Sequence, residues 1–259
     1  MLYPKYLKMN VRSSMQYRMN MALITFTQTL VSVAELLAVW IMFKQFKSVG
    51  YWGFYESALM FGIITTVFSA AECFARGYDE FQNLIQQGTL DRMLVRPVSI
   101  HKQIWGSKVE LSKLGRTVLG IAVTIIAACN LTIQWTFWKV LVLIATLVCG
   151  FVVIVGIFMI GAGISIFTVE KMEFINIITD GGKELSFYPI NVYSKWLTRI
   201  FTFVLPFACF NYLPISYICG YGSLPPVVYA ISPLLGMLFI IPCILFFNWS
   251  LKKYKSTGT

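Results

Sequence analysis

Charged side chains are scarce in this sequence, which excludes an ordinary soluble domain. Asp, Glu, Lys and Arg make up 12% of the 259 residues, about half the share that soluble domains carry. Apolar residues make up 58% and come in long blocks, whereas a soluble core gives short periodic stripes. We therefore predict a single membrane domain over residues 1–259.

Histidine and paired cysteines are also lacking. His101 is the single histidine and the six cysteines form no CxxC pair, which excludes a His-rich metal site and a disulfide framework. No HExxH motif occurs, and Gly181-Gly182-Lys183 lacks the earlier glycine and the Ser/Thr of a GxxxxGK[ST] phosphate loop. We expect no metal, no cofactor and no catalytic centre on this chain.

Apolar runs of about 20 residues, the length that crosses the hydrocarbon layer of a bilayer, recur along the chain. They cover residues 21–43, 57–75, 117–135, 140–167 and 227–251. This pattern predicts an all-α polytopic membrane protein with about six transmembrane helices.

The remaining crossing has two candidates. The range 200–221 is apolar, but Pro206 and Pro214 can kink or break a helix there. The range 170–188 carries polar residues at three- and four-residue spacing, which places them on one helix face. These polar residues are Glu173, Asn176, Asp180 and Glu184. The range is either a surface helix or a span whose carboxylates avoid lipid.

Lys and Arg are concentrated on one side of the predicted spans. They fill the arm of residues 1–20, the loop 76–116, the segment before residue 200 and the tail. The opposite side holds only Lys44, Lys47 and Lys139. The positive-inside rule then predicts that both ends lie in the cytoplasm. The net charge of +10 reflects this topology, and no solvated basic domain remains that would bind nucleic acid.

The arm of residues 1–20 can form an amphipathic helix, because Leu7, Val11 and Met15 lie four residues apart. Such a helix would lie on the inner membrane surface. The simpler interpretation is a positive anchor for the first span.

The inner loop 76–116 is long for a passive linker and carries apolar residues throughout. Gly88 can end a helix that continues from the second span, and Pro97 can stop a new helix that starts near residue 89. We expect a short helix beneath the bilayer, which either passes force to the spans or serves as a structural cap. The carboxylates of Asp79 and Glu80 in this loop are expected to make solvated ion pairs.

Glu35 lies inside the apolar run 21–43. A carboxylate within a span is a candidate functional group, at a dimer interface or on a substrate path. The alternative is a hydrogen bond to a nearby hydroxyl, such as that of Ser32 on the same helix face.

Two stretches resemble a known family. Residues 88–99, GTLDRMLVRPVS, resemble the G-x-L-D-x-L-L-x-R-P-x-S stretch of type-2 ABC exporter permeases. Residues 188–193 (YPINVY), with the later VLPF and NYLP, resemble the YP-x-x-x-Y … IP … Y-x-P pattern of a bacterial subgroup. In that family the first stretch lies at or beside a cytoplasmic coupling helix that docks on a separate ATPase. The coupling residues that the resemblance implies here are Leu90, Asp91, Arg92, Leu94, Arg96 and Pro97.

The resemblance also implies an assembly and a layout. It implies a permease domain in the bacterial inner membrane that pairs with an identical or sister permease above two ATPase subunits, which hold ATP and Mg²⁺. The range 170–188 would then be the fifth span, and 189–222 would be a re-entrant or extracellular segment. The candidate substrate-path or interface residues are Glu35, Glu173, Asn176, Asp180 and Glu184. An ATPase-independent carrier or channel, or a membrane scaffold or sensor, is the alternative.

Overall fold

The computed structural model describes residues 3–168, 173–221 and 225–255. Within these ranges the chain is helical, and the only β-type pairing is an isolated bridge between Val49 and Trp52. The α-helices, numbered in chain order, are α1 (Tyr3–Ser14), α2 (Arg18–Phe46), α3 (Phe54–Phe74), α4 (Arg76–Asp79), α5 (Phe81–Gln86), α6 (Thr89–Leu94), α7 (Ile100–Ser107), α8 (Leu114–Asn130), α9 (Phe137–Thr168), α10 (Glu173–Leu185), α11 (Lys195–Arg199), α12 (Phe207–Phe210), α13 (Tyr212–Cys219), α14 (Pro226–Met237) and α15 (Ile240–Lys253). Short 3-10 turns cover Met15–Tyr17, Leu111–Lys113 and Ile190–Val192, and a π-helical turn covers Ile200–Val204.

The five predicted apolar runs all form helices that are long and apolar enough to cross a membrane. In the described part of the chain these are Lys8–Phe46, Phe54–Phe74, Leu111–Asn130, Phe137–Thr168 and Pro226–Lys253. The first of them includes most of α1, so the helix predicted for the arm is present and leads into the first span. The prediction of an all-α polytopic membrane protein is therefore confirmed.

Helix α3 lies at the centre of the bundle, with 89% of its most apolar window buried. It packs closely against α8, where small residues let the two backbones approach. A Cβ added to Gly62 would lie 2.7 Å from the backbone nitrogen of Thr124, and one added to Gly120 would lie 2.7 Å from that of Thr66. Only glycine fits at both positions, so this contact fixes α3 against α8.

The range 200–221 is broken and does not form one straight helix. The segments Lys195–Val204 and Phe207–Cys219 meet at 75°, and Pro206 stands at the break as predicted. Pro214 lies inside α13 without interrupting it. We call this bent pair the hairpin (residues 195–219). If its two segments are taken together as one span, the described residues contain six candidate crossings instead of five.

The tip of the hairpin packs deep in the bundle. A Cβ added to Gly182 of α10 would lie 2.8 Å from the Phe207 ring, and one added to Gly150 of α9 would lie 2.6 Å from the Phe210 ring. The chain then returns to the start of α3, where the Tyr221 hydroxyl donates to Glu56 Oε1 at 3.2 Å. In the predicted orientation, that end of α3 faces outward.

Candidate functional site: a docking helix and an interior polar column

The short helix predicted beneath the bilayer is present as α6. Gly88, just before it, has a φ of 61°, in the left-handed region that glycine adopts without strain, so the chain can reverse between α5 and α6. Leu90 is fully buried and Met93 nearly so. On the other side, Leu94 is 47% and Val95 is 85% exposed. One side of α6 is thus anchored and the other is exposed.

Helices α6 and α7 form one unit, hereafter the docking unit (residues 89–107). The buried Gln103 side chain donates from Nε2 to the backbone oxygens of Met93 and Val98, both at 2.9 Å. Ser99 caps α7 by accepting from the backbone nitrogen of Lys102 at 3.4 Å. Because these bonds close the turn around Pro97, the two helices can move as one body.

The predicted coupling residues occupy both sides of this unit. Arg92, Leu94, Arg96 and Pro97 are exposed, and Arg92 donates to Thr89 Oγ1 at 3.2 Å. Asp91 lies beside Tyr254, at the end of α15. Burial, together with the nearby Asp91 carboxylate, raises the pKa of Tyr254. The exposed side therefore offers apolar groups between two guanidinium groups, a surface suited to a partner protein.

A dense set of ion pairs joins α3, α4 and the start of α8. We call it the inner charge network, and its members are Glu72, Arg76, Asp79, Glu80, Lys108, Glu110, Lys113 and Arg116. Arg76 contacts Glu80 and Glu110 at 2.9 Å, Glu72 at 3.4 Å, and also Asp79. The Glu72 carboxylate also forms ion pairs with Lys113 Nζ at 2.9 Å and with Arg116 Nη1 at 3.5 Å. The network fixes the inner loop to the ends of two spans.

Asp79 and Glu80 form ion pairs as expected, but the expectation that these pairs are solvated is wrong. Their side chains are only 20% and 23% exposed, because α4 turns back against α7 and the network closes over them. Burial raises the pKa of Asp79, although the charge of Arg76 acts against it. Burial also acts to raise the pKa of Glu80, but the hydrogen bond from Lys108 and the charge of Arg76 outweigh it and the pKa is lowered.

Glu72 is a central residue that the sequence analysis missed. It lies near the end of the apolar run 57–75 and is 7% exposed. The signal that singled out Glu35, a carboxylate within an apolar run, applies equally to Glu72.

Glu35 pairs with a residue from the other half of the chain. Lys183 Nζ, on α10, lies 2.9 Å from Glu35 Oε1, and it also lies 5.5 Å from the centre of the Phe187 ring. The Ser32 hydroxyl instead accepts from Arg116 Nε at 3.1 Å. The Glu35 carboxylate therefore links α2 to α10.

Helix α10 runs along α3 from the inner charge network outward. Asn176, Thr179 and Asp180 line a cavity of about 170 Å³ that Glu72 and Arg76 also line. Beyond the helix, Phe187 packs against Phe61 of α3 with ring centres 4.7 Å apart. Together with the Glu35–Lys183 pair, this arrangement gives a polar column from the inner end into the bundle.

The other candidates on α10 are less involved. Glu184 is exposed and is not among the residues that line the cavity. The side chain of Glu173 lies outside the described residues. Lys183 is a buried charged residue on this helix, and it was not among the candidate residues chosen from the sequence.

The described residues thus form a bundle of membrane-spanning helices with an anchored helix at its inner end and a polar column inside it. The sequence matches the profile of the ABC-2 family transporter protein over residues 29–258, and the chain therefore belongs to the ABC-2 transporter family. No curated protein sequence matches the chain. The chain is thus a multi-pass membrane protein and the permease component of an ABC transporter, from a family that associates with an ABC ATPase.

Proposed function

We propose that this chain is the membrane subunit of an ATP-driven exporter in a bacterial inner membrane. It works in a dimer with an identical or sister permease, above two separate ATPase subunits that bind ATP and Mg²⁺. The observation that carries the proposal is the exposed surface of α6, where Leu94 and Val95 stand between Arg92 and Arg96. Exposed aliphatic side chains on an anchored helix indicate a docking site.

The docking unit gives a route from the ATPase to the spans. When ATP closes the two ATPase subunits, α6 moves with the surface on which it docks. Gln103 carries that movement into α7 through its bonds to Met93 and Val98. The inner charge network then passes it to α3 and α8 through the pairs of Arg76 with Glu72 and Glu110.

The proposal includes a layout for the fifth crossing. Helix α10 occupies the fifth place, because it lies alongside α3 from Glu72 to Phe61 and pairs with α2 at Glu35. The hairpin then enters from the outer side, reaches Gly182 and Gly150, and returns to Glu56. Its irregular backbone is tolerated at this depth because protein surrounds it.

The polar column lies on the proposed transport path. Its charges face other helices, as charges inside a membrane must. Alternation of the dimer would open the cavity beside Asp180 first to the cytoplasm and then toward the Glu35–Lys183 pair.

A charge on the docking surface tests this function. The chain is co-expressed with each candidate ABC ATPase of its source organism in turn and purified in mild detergent. Val95→Asp is expected to remove the ATPase from the purified complex without changing the yield of the permease, because Val95 is 85% exposed. The matched control is Val192→Asp, an exposed valine outside the docking unit, which should retain the ATPase.

A second arm places a cysteine at Leu94 and cross-links it to the ATPase surface. Failure of the wild-type chain to retain any ATPase, or equal retention by Val95→Asp and wild type, would overturn the proposed function. Transport or conductance by the isolated chain would favour the self-sufficient carrier instead.

A further inference from the structure

His101 joins three helices that are far apart in the sequence. It lies in the first turn of α7, within the docking unit. Its Nδ1 is 2.8 Å from the Tyr78 hydroxyl of α4, and its Nε2 is 2.9 Å from Asn248 Oδ1 of α15. These distances fit a ring that donates from Nε2 to Asn248 and accepts from the Tyr78 hydroxyl at Nδ1. Both ring nitrogens are therefore satisfied by two other helices.

An aromatic cluster surrounds this bond. Phe247, the neighbour of Asn248 on α15, is fully buried. Its ring centre lies 5.6 Å from that of Tyr78, 5.4 Å from that of Phe81 and 5.5 Å from that of His101. The rings of Tyr78 and Phe81 lie edge-on to the Phe247 ring, with interplanar angles of 80° and 76°. This is a favourable geometry for aromatic pairs. The end of α15 is thus held tightly among the inner helices.

A second inner residue lies near the end of α15, six residues after Asn248. Tyr254, directly after the last helical residue, lies beside Asp91 of α6. The docking unit therefore bonds to the last span through His101 of α7, and Asp91 of α6 lies near the residue that follows this span.

The far side of α15 packs against α9. A Cβ added to Gly156 would lie 3.1 Å from Cys243 Sγ, and one added to Gly163 would lie 2.8 Å from the Phe246 ring. A displacement of α15 at its inner end would thus reach α9, against which it packs.

We infer that the hydrogen bond between His101 and Asn248 ties the last span to the docking unit, so that His101 and Asn248 are positioning residues for energy coupling. This inference rests on the proposed function. It adds a second route, into α15 and α9, to the one that the inner charge network provides into α3 and α8. Arg76 and Glu72 in that network each have several partners, whereas this tie is a single side-chain hydrogen bond.

The test follows the last span directly and requires no knowledge of the substrate. A nitroxide is attached to a cysteine at Leu245, a 65% exposed position on α15, after Cys129, Cys209 and Cys219 are replaced by Ser. The complex with the ATPase is placed in lipid nanodiscs. Its spectrum is recorded with and without ATP and vanadate, and ATP hydrolysis is measured on the same sample.

In the wild-type complex, trapping with vanadate is expected to change the nitroxide spectrum. Asn248→Leu should keep the ATPase bound and active but lose most of this spectral change. The exchange variant His101→Asn/Asn248→His restores a hydrogen bond between α7 and α15 and should recover the change. Asn130→Leu, which alters an exposed asparagine at the far end of α8, is the matched control.

The outcomes separate the two proposals. A bound, active ATPase with a full spectral change in Asn248→Leu overturns the tie and leaves the proposed function standing. An exchange variant as defective as Asn248→Leu also overturns the tie, since local packing would then explain the loss. A wild-type chain that binds no ATPase overturns both.

Discussion

The inner charge network and the Glu35–Lys183 pair are both buried, but they differ in how many partners each charge has. In the network, Arg76 contacts four carboxylates and Glu72 contacts three cations. Lys183, in contrast, pairs with one carboxylate, and Glu35 Oε2 has no hydrogen-bond partner among the described residues. The network shares its charges, whereas the pair has a single partner on each side.

This difference suggests different roles. The multiple pairs of Arg76 and Glu72 let the network lose one of these contacts while others remain, which suits a fixed joint between α3, α4 and α8. A single pair between α2 and α10 is either made or broken. Breaking it leaves an uncompensated charge in a low-dielectric region, which is costly. Such a pair suits a contact that the transport cycle exchanges for another partner.

The largest expected effect comes from Lys183→Met, which removes the charge that pairs with Glu35 among the described residues. The Lys183 side chain is 6% exposed and that of Glu35 is 20% exposed, so solvent can replace little of the lost interaction. We expect a loss of about 3–5 kcal/mol, equivalent to a fall of roughly 10 °C in the melting temperature. Thermal unfolding of the detergent-purified chain measures it.

The double variant Glu35→Leu/Lys183→Met removes both charges and should recover most of that loss, because no buried charge remains. Lys195→Met, an exposed lysine, is the matched control and should melt as wild type does. A double variant as unstable as the single one would show that the cost arises from packing around α10.

Glu72→Gln is expected to cost less, although Glu72 has more partners. Arg76 keeps three carboxylates, and the glutamine oxygen still accepts a hydrogen bond from Lys113 or Arg116. We expect a loss of about 1.5–3 kcal/mol, the value of a charged hydrogen bond, in the same melting assay. Glu184→Gln, an exposed glutamate, is its control. A loss larger than that of Lys183→Met would contradict the idea that the network is redundant.

The sequence was sufficient for features that depend on local chain properties. Span positions follow from the length of the apolar runs, and the break at Pro206 follows from the missing backbone donor of proline. The docking helix followed from Gly88 and Pro97. In each case the residues that determine the structure are neighbours in the chain.

The partners of the buried charges could not be predicted in this way. Lys183 is 148 residues from Glu35, and Asn248 is 147 residues from His101, so no periodicity relates them. Helix α10 posed a different problem, because its 13 described residues fall short of the length on which span recognition depends. Its position follows only from contacts with α2 and α3.

The smallest expected effect is that of Lys108→Ala, at the edge of the network. Lys108 Nζ lies 2.6 Å from Glu80 Oε2, but its side chain is 46% exposed, so water and salt screen the pair. We expect a loss of less than about 1 kcal/mol.

The effect of Lys108→Ala should also depend on pH, because Glu80 has a lowered pKa. The stability that the Glu80 carboxylate contributes is present above its ordinary pKa of 4.5. It is lost as the pH falls through the lowered value. The difference in melting temperature between wild type and Lys108→Ala should therefore be constant at neutral pH and vanish in acid, whereas Lys102→Ala, another exposed lysine, should show no difference at any pH. A Lys108→Ala defect that persists in acid would mean that the lysine stabilises the loop by packing, and the network would then end at Glu80.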